Sequence, residues 1–210
     1  SGYDRMMDLA AKNGIRVVIA ELVTCAPEWA FRKYPHAHFL ASDGTVAHTT
    51  ISESSATGGF PGLCLDNLDV RAHAETFLTA LIQRYKGHPG LFAYDLWNEN
   101  TSFGGSPSRM YCYCDGSKRN LREWLRSRYG TLEKAAEAWK RYSYETWEDV
   151  EPPRSFSGYP DSLDWLQFRI DNAYSLFDWR GILFRRLDPG HRITAHGVEG
   201  TLTDMPSSSH

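Results

Sequence analysis

The sequence predicts an α/β fold that forms part of a (β/α)8 barrel, and two observations carry this prediction. Helical and strand-like apolar segments alternate along the chain, with a glycine between each helix and the next strand. Such alternation is typical of parallel sheets whose strands are joined by helices. The second observation is a near-continuous apolar and aromatic run, residues 91–96, interrupted by Asp95, that leads into Asn98 and Glu99. A buried strand with polar side chains at its carboxyl end is typical of barrel enzymes.

The chain opens with one helix-to-strand step. Apolar residues recur at helical spacing over residues 3–13, and Gly14 provides the stop that ends a helix there. Residues 15–20 are mainly β-branched, which predicts a strand that runs on toward Pro27. Glu21 follows these residues, and we interpret it as a buried structural carboxylate, with a role in a functional site as the alternative.

Long loops follow the first two predicted strands. Residues 28–35 are predicted to lie in a loop, and residues 36–70 are irregular and rich in glycine, serine, threonine and histidine. Residues 100–117 form the second long loop. Loops of this length in compact domains are usually functional or disordered. In a barrel, the loops that follow strands lie on the catalytic face, so we expect both loops to line a functional site.

Helices fill most of the remaining chain. Asp69 is expected to cap a helix over residues 70–86, which precedes the strand at residues 91–96. Apolar periodicity predicts three further helices, at residues 119–129, 132–142 and 162–186.

A third strand is predicted over residues 192–196, after an Asp-Pro-Gly stop at residues 188–190. His196 ends this strand. Because parallel barrel strands end at one face, His196 would point to the same face as Glu99. We therefore regard His196 as a candidate substrate contact.

Composition excludes several classes of protein. The 210 residues carry a formal net charge of −3 with both signs mixed throughout, so no basic stripe for nucleic acid or polybasic membrane patch is present. Apolar runs are far shorter than the ~18 residues of a transmembrane helix. No secretory signal opens the chain, and we expect a cytoplasmic protein. Because a complete barrel needs ~250 residues, we expect residues 1–210 to be one partial barrel domain that lacks its N- and C-terminal parts.

Glu99 has the setting of a general acid. Hydrolysis of a glycosidic bond uses two carboxyl groups, one of which protonates the leaving oxygen. An apolar enclosure that includes Trp97 would raise the pKa of Glu99 for that role. Asn98 could hydrogen-bond a sugar hydroxyl near the reaction centre. The alternative is that Glu99 is a surface charge at a strand end, and neither Glu21 nor Glu199 has a pattern that identifies it as the second carboxylate.

Three of the four cysteines form a candidate metal site. Cys112 and Cys114 lie in one loop and Cys64 in another, and three thiolates could meet at a tetrahedral zinc ion. The fourth ligand would be Asp115 or water. The alternatives are thiols without a ligand, or a disulfide between Cys64 and one of the pair if the protein is secreted.

Short motifs spread over most of the chain occur in the order found in a known family. They are residues 14–18 with Pro27, Glu28 and Trp29; Cys64; Arg84, Tyr85, His88 and Pro89; Trp97, Asn98 and Glu99; Cys112, Tyr113 and Cys114; and Trp124, residues 129–132, Trp139 and Trp147. The chain thereby resembles the β-galactosidases of glycoside hydrolase family 42. The resemblance implies that the predicted strands are barrel strands three to five, with their helices and long βα loops. It also implies that Glu99 is the general acid/base and Asn98 its substrate-binding neighbour.

The resemblance further implies a structural zinc ion held by a loop cysteine and a Cys-x-Cys-x-x-Cys set. Cys64, Cys112 and Cys114 match these ligands, whereas Ser117 stands in place of the fourth cysteine. Phe60 stands where the family often has an arginine that contacts the sugar. The family's nucleophile is a glutamate on the seventh strand, so no nucleophile is assigned in this chain.

From these features we predict a glycoside hydrolase that removes terminal β-D-galactosyl residues with retention of configuration. Its expected site residues are Glu99 as general acid/base, Asn98, Trp97 and His196 as substrate contacts, and Cys64, Cys112 and Cys114 as zinc ligands. The isolated chain should be nearly inactive without a nucleophile. The alternatives are another retaining barrel glycosidase, of mannanase or endoglucanase type, and a non-catalytic carbohydrate-binding fragment. The expected partner is a β-galactoside or oligosaccharide, with no nucleic acid or membrane, and a homo-oligomer of the full-length enzyme is a candidate assembly.

Overall fold

The structure, a computed structural model, describes residues 2–23, 25–46, 62–96, 111–155 and 159–195. The chain divides into two compact units. The sheet unit comprises Ser1–Val23, Ala72–Thr101 and Ser175–Thr201, and the loop unit comprises Thr24–Arg71, Ser102–Tyr174 and Leu202–His210.

The described residues form three strands and six α-helices. The strands are β1 (Val17–Ala20), β2 (Leu91–Asp95) and β3 (Arg192–Thr194). The helices are α1 (Gly2–Lys12), α2 (Glu28–Lys33), α3 (Leu68–Tyr85), α4 (Asp115–Tyr129), α5 (Leu132–Trp139) and α6 (Pro160–Leu187). None of these helices has an apolar stretch long enough to cross a bilayer.

The strands of the sheet unit form one parallel sheet in the order β1-β2-β3. Val18 pairs with Ala93, and Tyr94 pairs with Ile193. The central strand β2 is buried at every position except Phe92, whereas β1 and β3 are partly exposed. This parallel pairing confirms the predicted alternation of helices and strands.

The core of the sheet unit lies between the sheet and three helices. Met7 of α1, Leu78 and Ile82 of α3, and Phe184 of α6 pack together with Tyr94 of β2, and each is at most 1% exposed. The ring of Tyr94 meets that of Phe184 edge to face, with 4.8 Å between their centroids. Burial of these apolar and aromatic side chains holds the helices onto the strands.

The loop unit has its own core. Leu121 and Leu125 of α4, Trp139 of α5, and Trp165 and Phe168 of α6 belong to one buried cluster. Trp165 and Phe168 stack with their ring centroids 5.5 Å apart. This aromatic core anchors the N-terminal half of α6 and the helix α4, which follows directly on the cysteine pair.

A buried carboxylate joins the helices of this unit. Asp164 accepts hydrogen bonds from the hydroxyl of Tyr129 at 2.6 Å and from the indole nitrogen of Trp139 at 2.7 Å. Arg128 pairs with its other oxygen at 3.2 Å. The charge of Asp164 is therefore compensated, as a buried carboxylate requires.

Two predictions for the first loop were wrong. The first strand ends at Ala20 and does not run on toward Pro27, and residues 28–33 are helical although a loop was predicted. Pro27 directly precedes α2, a position that suits proline because the first helical N–H groups need no intrahelical partner.

Three predicted helix ends also differ from the structure. Asp69 does not cap α3, because the side-chain oxygen of Asn67 accepts hydrogen bonds from the backbone N–H groups of Asp69 and Val70. Helix α4 begins at Asp115 instead of residue 119. Helix α5 ends at Trp139 because Lys140 adopts a left-handed conformation with φ of 57°.

Candidate functional site

The residues predicted to bind and cleave the substrate, Trp97, Asn98, Glu99 and His196, lie outside the described residues. The structure describes the strands that lead into them, β2 before Trp97 and β3 before His196. Strand β2 ends at Asp95, and the fully buried Leu96 is the last described residue before Trp97. The catalytic assignment of Glu99 therefore stays a prediction.

Backbone hydrogen bonds tie the carboxyl ends of the three strands together. The N–H of Glu21 donates to the carbonyl of Asp95 at 3.0 Å, and the N–H of Leu96 donates to that of Thr194 at 2.8 Å. The middle strand is thus fixed on both sides at the edge where barrel enzymes carry their active sites. Glu99 follows this fixed edge by three positions in sequence.

Glu21 has a structural partner in the sheet unit. Its carboxylate accepts a hydrogen bond from Arg180 and a second, at 2.8 Å, from the N–H of Val23. Burial raises the pKa of Glu21, and the charge of Arg180 opposes that rise. These contacts support the structural interpretation of Glu21. The sequence analysis did not identify Arg180 as the partner of Glu21. Its one sequence signal is that a basic residue interrupts the apolar pattern of a long helix.

The loop unit brings the three predicted zinc ligands together. The Sγ atoms of Cys64, Cys112 and Cys114 all lie within 4.8 Å of one another, and the three residues are buried. The Sγ atoms of Cys64 and Cys114 are 3.6 Å apart. None of the four cysteines, all of which are described, is in a disulfide, and all four are buried.

The local backbone orients this cluster. The Sγ of Cys112 accepts hydrogen bonds of 3.4 Å from the N–H groups of Leu40 and Cys114. The Sγ of Cys114 accepts one of 3.5 Å from the N–H of Ser117, in the first turn of α4. Because these N–H groups point at sulfur, the loop stabilises negative charge on the cluster.

Coupling among the three thiols separates their pKa values. Contacts with Cys112 and Cys64 lower the pKa of Cys114 well below its usual range. Hydrogen bonding with Cys112 and Cys114, together with burial, raises the pKa of Cys64 well above its usual range. Contact with Cys114 raises the pKa of Cys112 above its usual range. One sulfur of the cluster is therefore favoured as a thiolate, the form that binds metals.

A buried carboxylate beside the cluster was not singled out from the sequence. Asp66 is 3% exposed. Its oxygens accept hydrogen bonds from Ser117 at 2.5 Å, from Asn120 at 3.0 Å, and from Asn172 at 2.9 and 3.0 Å. Arg71 lies 3.7 Å away. In the sequence, Asp66 was marked only by its place two residues after Cys64. Its partners Ser117, Asn120 and Asn172 lie more than 50 positions away, so no local pattern relates them to Asp66.

The donor set fits a structural zinc ion. Three buried sulfurs at short mutual distances match the thiolate-rich, enclosed sites that zinc prefers in this role. No histidine or carboxylate of the described residues joins the three within the same distance. The cluster therefore supplies three protein ligands, and a fourth position remains for another donor.

Comparison with known proteins identifies the family. The model of the family described as beta-galactosidase, glycoside hydrolase family 42, matches residues 1–207. A beta-galactosidase from Heyndrickxia coagulans is 28% identical over 196 residues, which cover 90% of this chain and 28% of that protein. One from Geobacillus kaustophilus is 24% identical over 195 residues, covering 89% of this chain and 27% of that protein. The chain thus spans little more than a quarter of the length of these relatives.

Solved structures agree with this match. The beta-galactosidase from Bacillus circulans sp. alkalophilus superposes with a TM-score of 0.72 at 25% identity, over 92% of this chain and 28% of that one. The beta-galactosidase from Rahnella sp. R3 superposes with a TM-score of 0.74 at 24% identity, over 93% of this chain and 27% of that one. With the parallel sheet, this likeness confirms the predicted partial (β/α)8 barrel. The chain belongs to glycoside hydrolase family 42, the beta-galactosidase family.

Proposed function

We propose that the protein containing this chain is a retaining glycoside hydrolase that removes terminal β-D-galactosyl residues. The observation that carries the proposal is the family match over residues 1–207, together with relatives that are named beta-galactosidases. The expected substrate is a β-galactoside or a galactose-terminated oligosaccharide.

Glu99 is the proposed general acid/base. In the first step it protonates the glycosidic oxygen while a second carboxylate attacks the anomeric carbon. In the second step it takes a proton from the water that releases the sugar. The nucleophile is not assigned within this chain. Asn98 is proposed to hydrogen-bond the sugar, and Trp97 and His196 to contact it.

The fixed end of β2 supports this assignment. A catalytic side chain needs a scaffold that holds it to within about 0.5 Å of its working position. Tyr94 donates a hydrogen bond of 2.8 Å to the buried Asp188, and Leu96 is fully buried. The strand that precedes Asn98 and Glu99 is therefore anchored by packing and by a buried hydrogen bond.

Cys64, Cys112 and Cys114 are the proposed protein ligands of a structural zinc ion. Bound zinc would cross-link the segment around Cys64 to the segment that begins α4, and it would supply stability without taking part in the reaction. The proposed location is the cytoplasm, where thiols stay reduced and available to a metal ion.

The complete polypeptide tests the proposed reaction. It should hydrolyse an aryl β-D-galactoside and lactose, and proton NMR recorded during the first turnovers should show β-galactose as the initial product. An aryl β-D-mannoside and a β-glucan are the competing substrates. Faster hydrolysis of either competing substrate would show that the enzyme prefers a sugar other than galactose. Binding of these sugars without hydrolysis of any of them would indicate a carbohydrate-binding protein instead of an enzyme. Initial α-galactose would contradict retention.

A further inference from the structure

We infer that the hydroxyl oxygen of Ser117 is the fourth ligand of the zinc site, and that Asp66 holds it in place. The inference rests on the proposal that Cys64, Cys112 and Cys114 bind zinc. It concerns two residues that the family resemblance does not supply as ligands, since a cysteine is expected at position 117.

Ser117 lies beside two of the three thiols. Its Oγ is 3.4 Å from the Sγ of Cys114 and 3.6 Å from the Sγ of Cys64. Zinc–sulfur bonds of about 2.3 Å and a zinc–oxygen bond of about 2.1 Å in a tetrahedron place sulfur and oxygen about 3.6 Å apart. The same geometry separates two sulfurs by about 3.8 Å, close to the 3.6 Å between Cys64 and Cys114. These three distances are close to the corresponding edges of an S3O tetrahedron.

The proton of the hydroxyl points away from the sulfurs. Ser117 donates its single proton to the carboxylate of Asp66, at 2.5 Å between the oxygens. Because a hydroxyl has one proton and two lone pairs, this hydrogen bond leaves the lone pairs free for an acceptor role. A carboxylate that orients a ligand from outside the metal shell also raises the basicity of that ligand.

Asp66 is itself held by its neighbours. Its carboxylate accepts hydrogen bonds from Asn120 and Asn172 in addition to Ser117, and only 3% of the residue is exposed. Asp66 does not join the three thiols within ligand distance. This network fixes Asp66 as an orienting group for Ser117 and not as a ligand.

The other candidate from the sequence is Asp115. It is exposed on the first turn of α4, whereas Ser117 is buried against the thiols. The exposed carboxylate of Asp115 does not belong to the ligand group of the cluster. Asp115→Asn is therefore a matched control for Asp66→Asn. It removes the same charge, and Asp115 lies close to the cluster in sequence, one residue after Cys114 and three after Cys112.

The test is a zinc-binding measurement on the complete polypeptide, stripped with a chelator and titrated with zinc against a chromophoric competitor. Asp66→Asn should weaken binding about 10- to 100-fold, the usual effect of losing a group that orients a ligand. Ser117→Ala should weaken it at least as much, and Asp115→Asn should leave it unchanged. Ser117→Cys should keep or increase the affinity, which separates a ligand role from a folding defect.

X-ray absorption identifies the ligands directly. The wild-type zinc site should fit three sulfurs at about 2.3 Å and one oxygen at about 2.0–2.2 Å, and Ser117→Cys should convert this to four sulfurs. Unchanged affinity in Ser117→Ala would assign the fourth position to water and overturn the inference alone. Failure of the wild type to bind zinc through its cysteines would overturn both the inference and the zinc proposal. It would leave the proposed β-galactosidase activity standing, because hydrolysis of a β-galactoside is measured independently of zinc binding.

Discussion

The guanidinium of Arg180 donates a hydrogen bond of 2.9 Å to the carboxylate of Glu21, and only 1% of each side chain is exposed. The pair joins α6 to the segment that follows β1 in the sheet unit. Glu21 also bonds through its N–H to the carbonyl at the end of β2. This buried pair therefore supports the edge of the sheet from which the chain proceeds to Glu99.

Breaking the pair should destabilise the protein strongly. Arg180→Met leaves a buried carboxylate without its counter-charge, which typically costs about 3–5 kcal/mol of unfolding free energy. The double variant Glu21→Leu with Arg180→Met removes both charges and should recover much of that loss. Urea-induced unfolding measures each value.

The exposed pair of Arg32 with Glu28 provides the control. These side chains are 70% and 75% exposed, so Arg32→Met should cost at most about 1 kcal/mol. Equal losses of unfolding free energy in Arg32→Met and Arg180→Met would show that the buried pair stabilises the protein no more than an exposed one.

Asp188 should make stability depend on pH in the acid range. Burial raises its pKa, but hydrogen bonds from His191 at 2.8 Å and from Tyr94 outweigh this effect, and the net pKa lies below the usual 3.8. A carboxyl group with a lowered folded-state pKa stabilises the protein above its unfolded pKa. That contribution is lost as the pH falls through the folded-state value. The difference in unfolding free energy between the wild type and Asp188→Asn should therefore shrink below about pH 4.

Two further variants sharpen this measurement. Tyr94→Phe removes one of the hydrogen bonds that lower the folded-state pKa of Asp188, so the acid loss of stability should be smaller and should be complete at a higher pH. Asp8→Asn is the control, because Asp8 pairs with His88 but its side chain is 75% exposed, and its removal should cost less than about 1 kcal/mol. A constant difference between wild type and Asp188→Asn from pH 7 to pH 2 would contradict the lowered pKa.

Gly116 should not tolerate a side chain. A Cβ at this position would lie 2.7 Å from the carbonyl oxygen of Asp66, which is backbone and cannot rotate away. Gly116→Ala should therefore cost about 1–3 kcal/mol in thermal or urea unfolding, as overpacking does. At Gly87 a Cβ meets no atom within 4 Å, so Gly87→Ala should change stability by no more than about 0.5 kcal/mol. Similar stabilities for the two variants would refute the close approach of the two segments.

Local patterns predicted the parts of the fold that depend on neighbours in sequence. The apolar run ending at Leu96 predicted the central buried strand. The cysteine cluster, in contrast, joins two distant loops; it was one of three alternatives for these thiols and was otherwise implied by the family resemblance, and the structure brings the thiols together. Helix α2 was predicted as a loop because six residues are too few for apolar periodicity to register. The start of α4 was placed at residue 119 instead of Asp115, because the cap that Cys114 provides is not part of the apolar pattern.

Contacts between distant parts of the chain were not predictable in the same way. Arg180 lies 159 positions from Glu21, and Asn172 lies 106 positions from Asp66. No local pattern relates such residues, since their contact follows from how helices pack. Ser117 was read from the sequence as a missing cysteine, and only the distances to the sulfurs and to Asp66 give it a role of its own.

We propose that Glu99 is the general acid/base of a retaining β-galactosidase. In the complete polypeptide, Glu99→Gln should lower kcat/KM for lactose by about 10²- to 10⁴-fold, because the leaving sugar needs a proton. The same variant should retain most of its kcat/KM for a dinitrophenyl β-galactoside, whose leaving group needs none. Glu28→Gln, a change at an exposed residue, should affect neither substrate. Unchanged hydrolysis of lactose by Glu99→Gln would contradict the account.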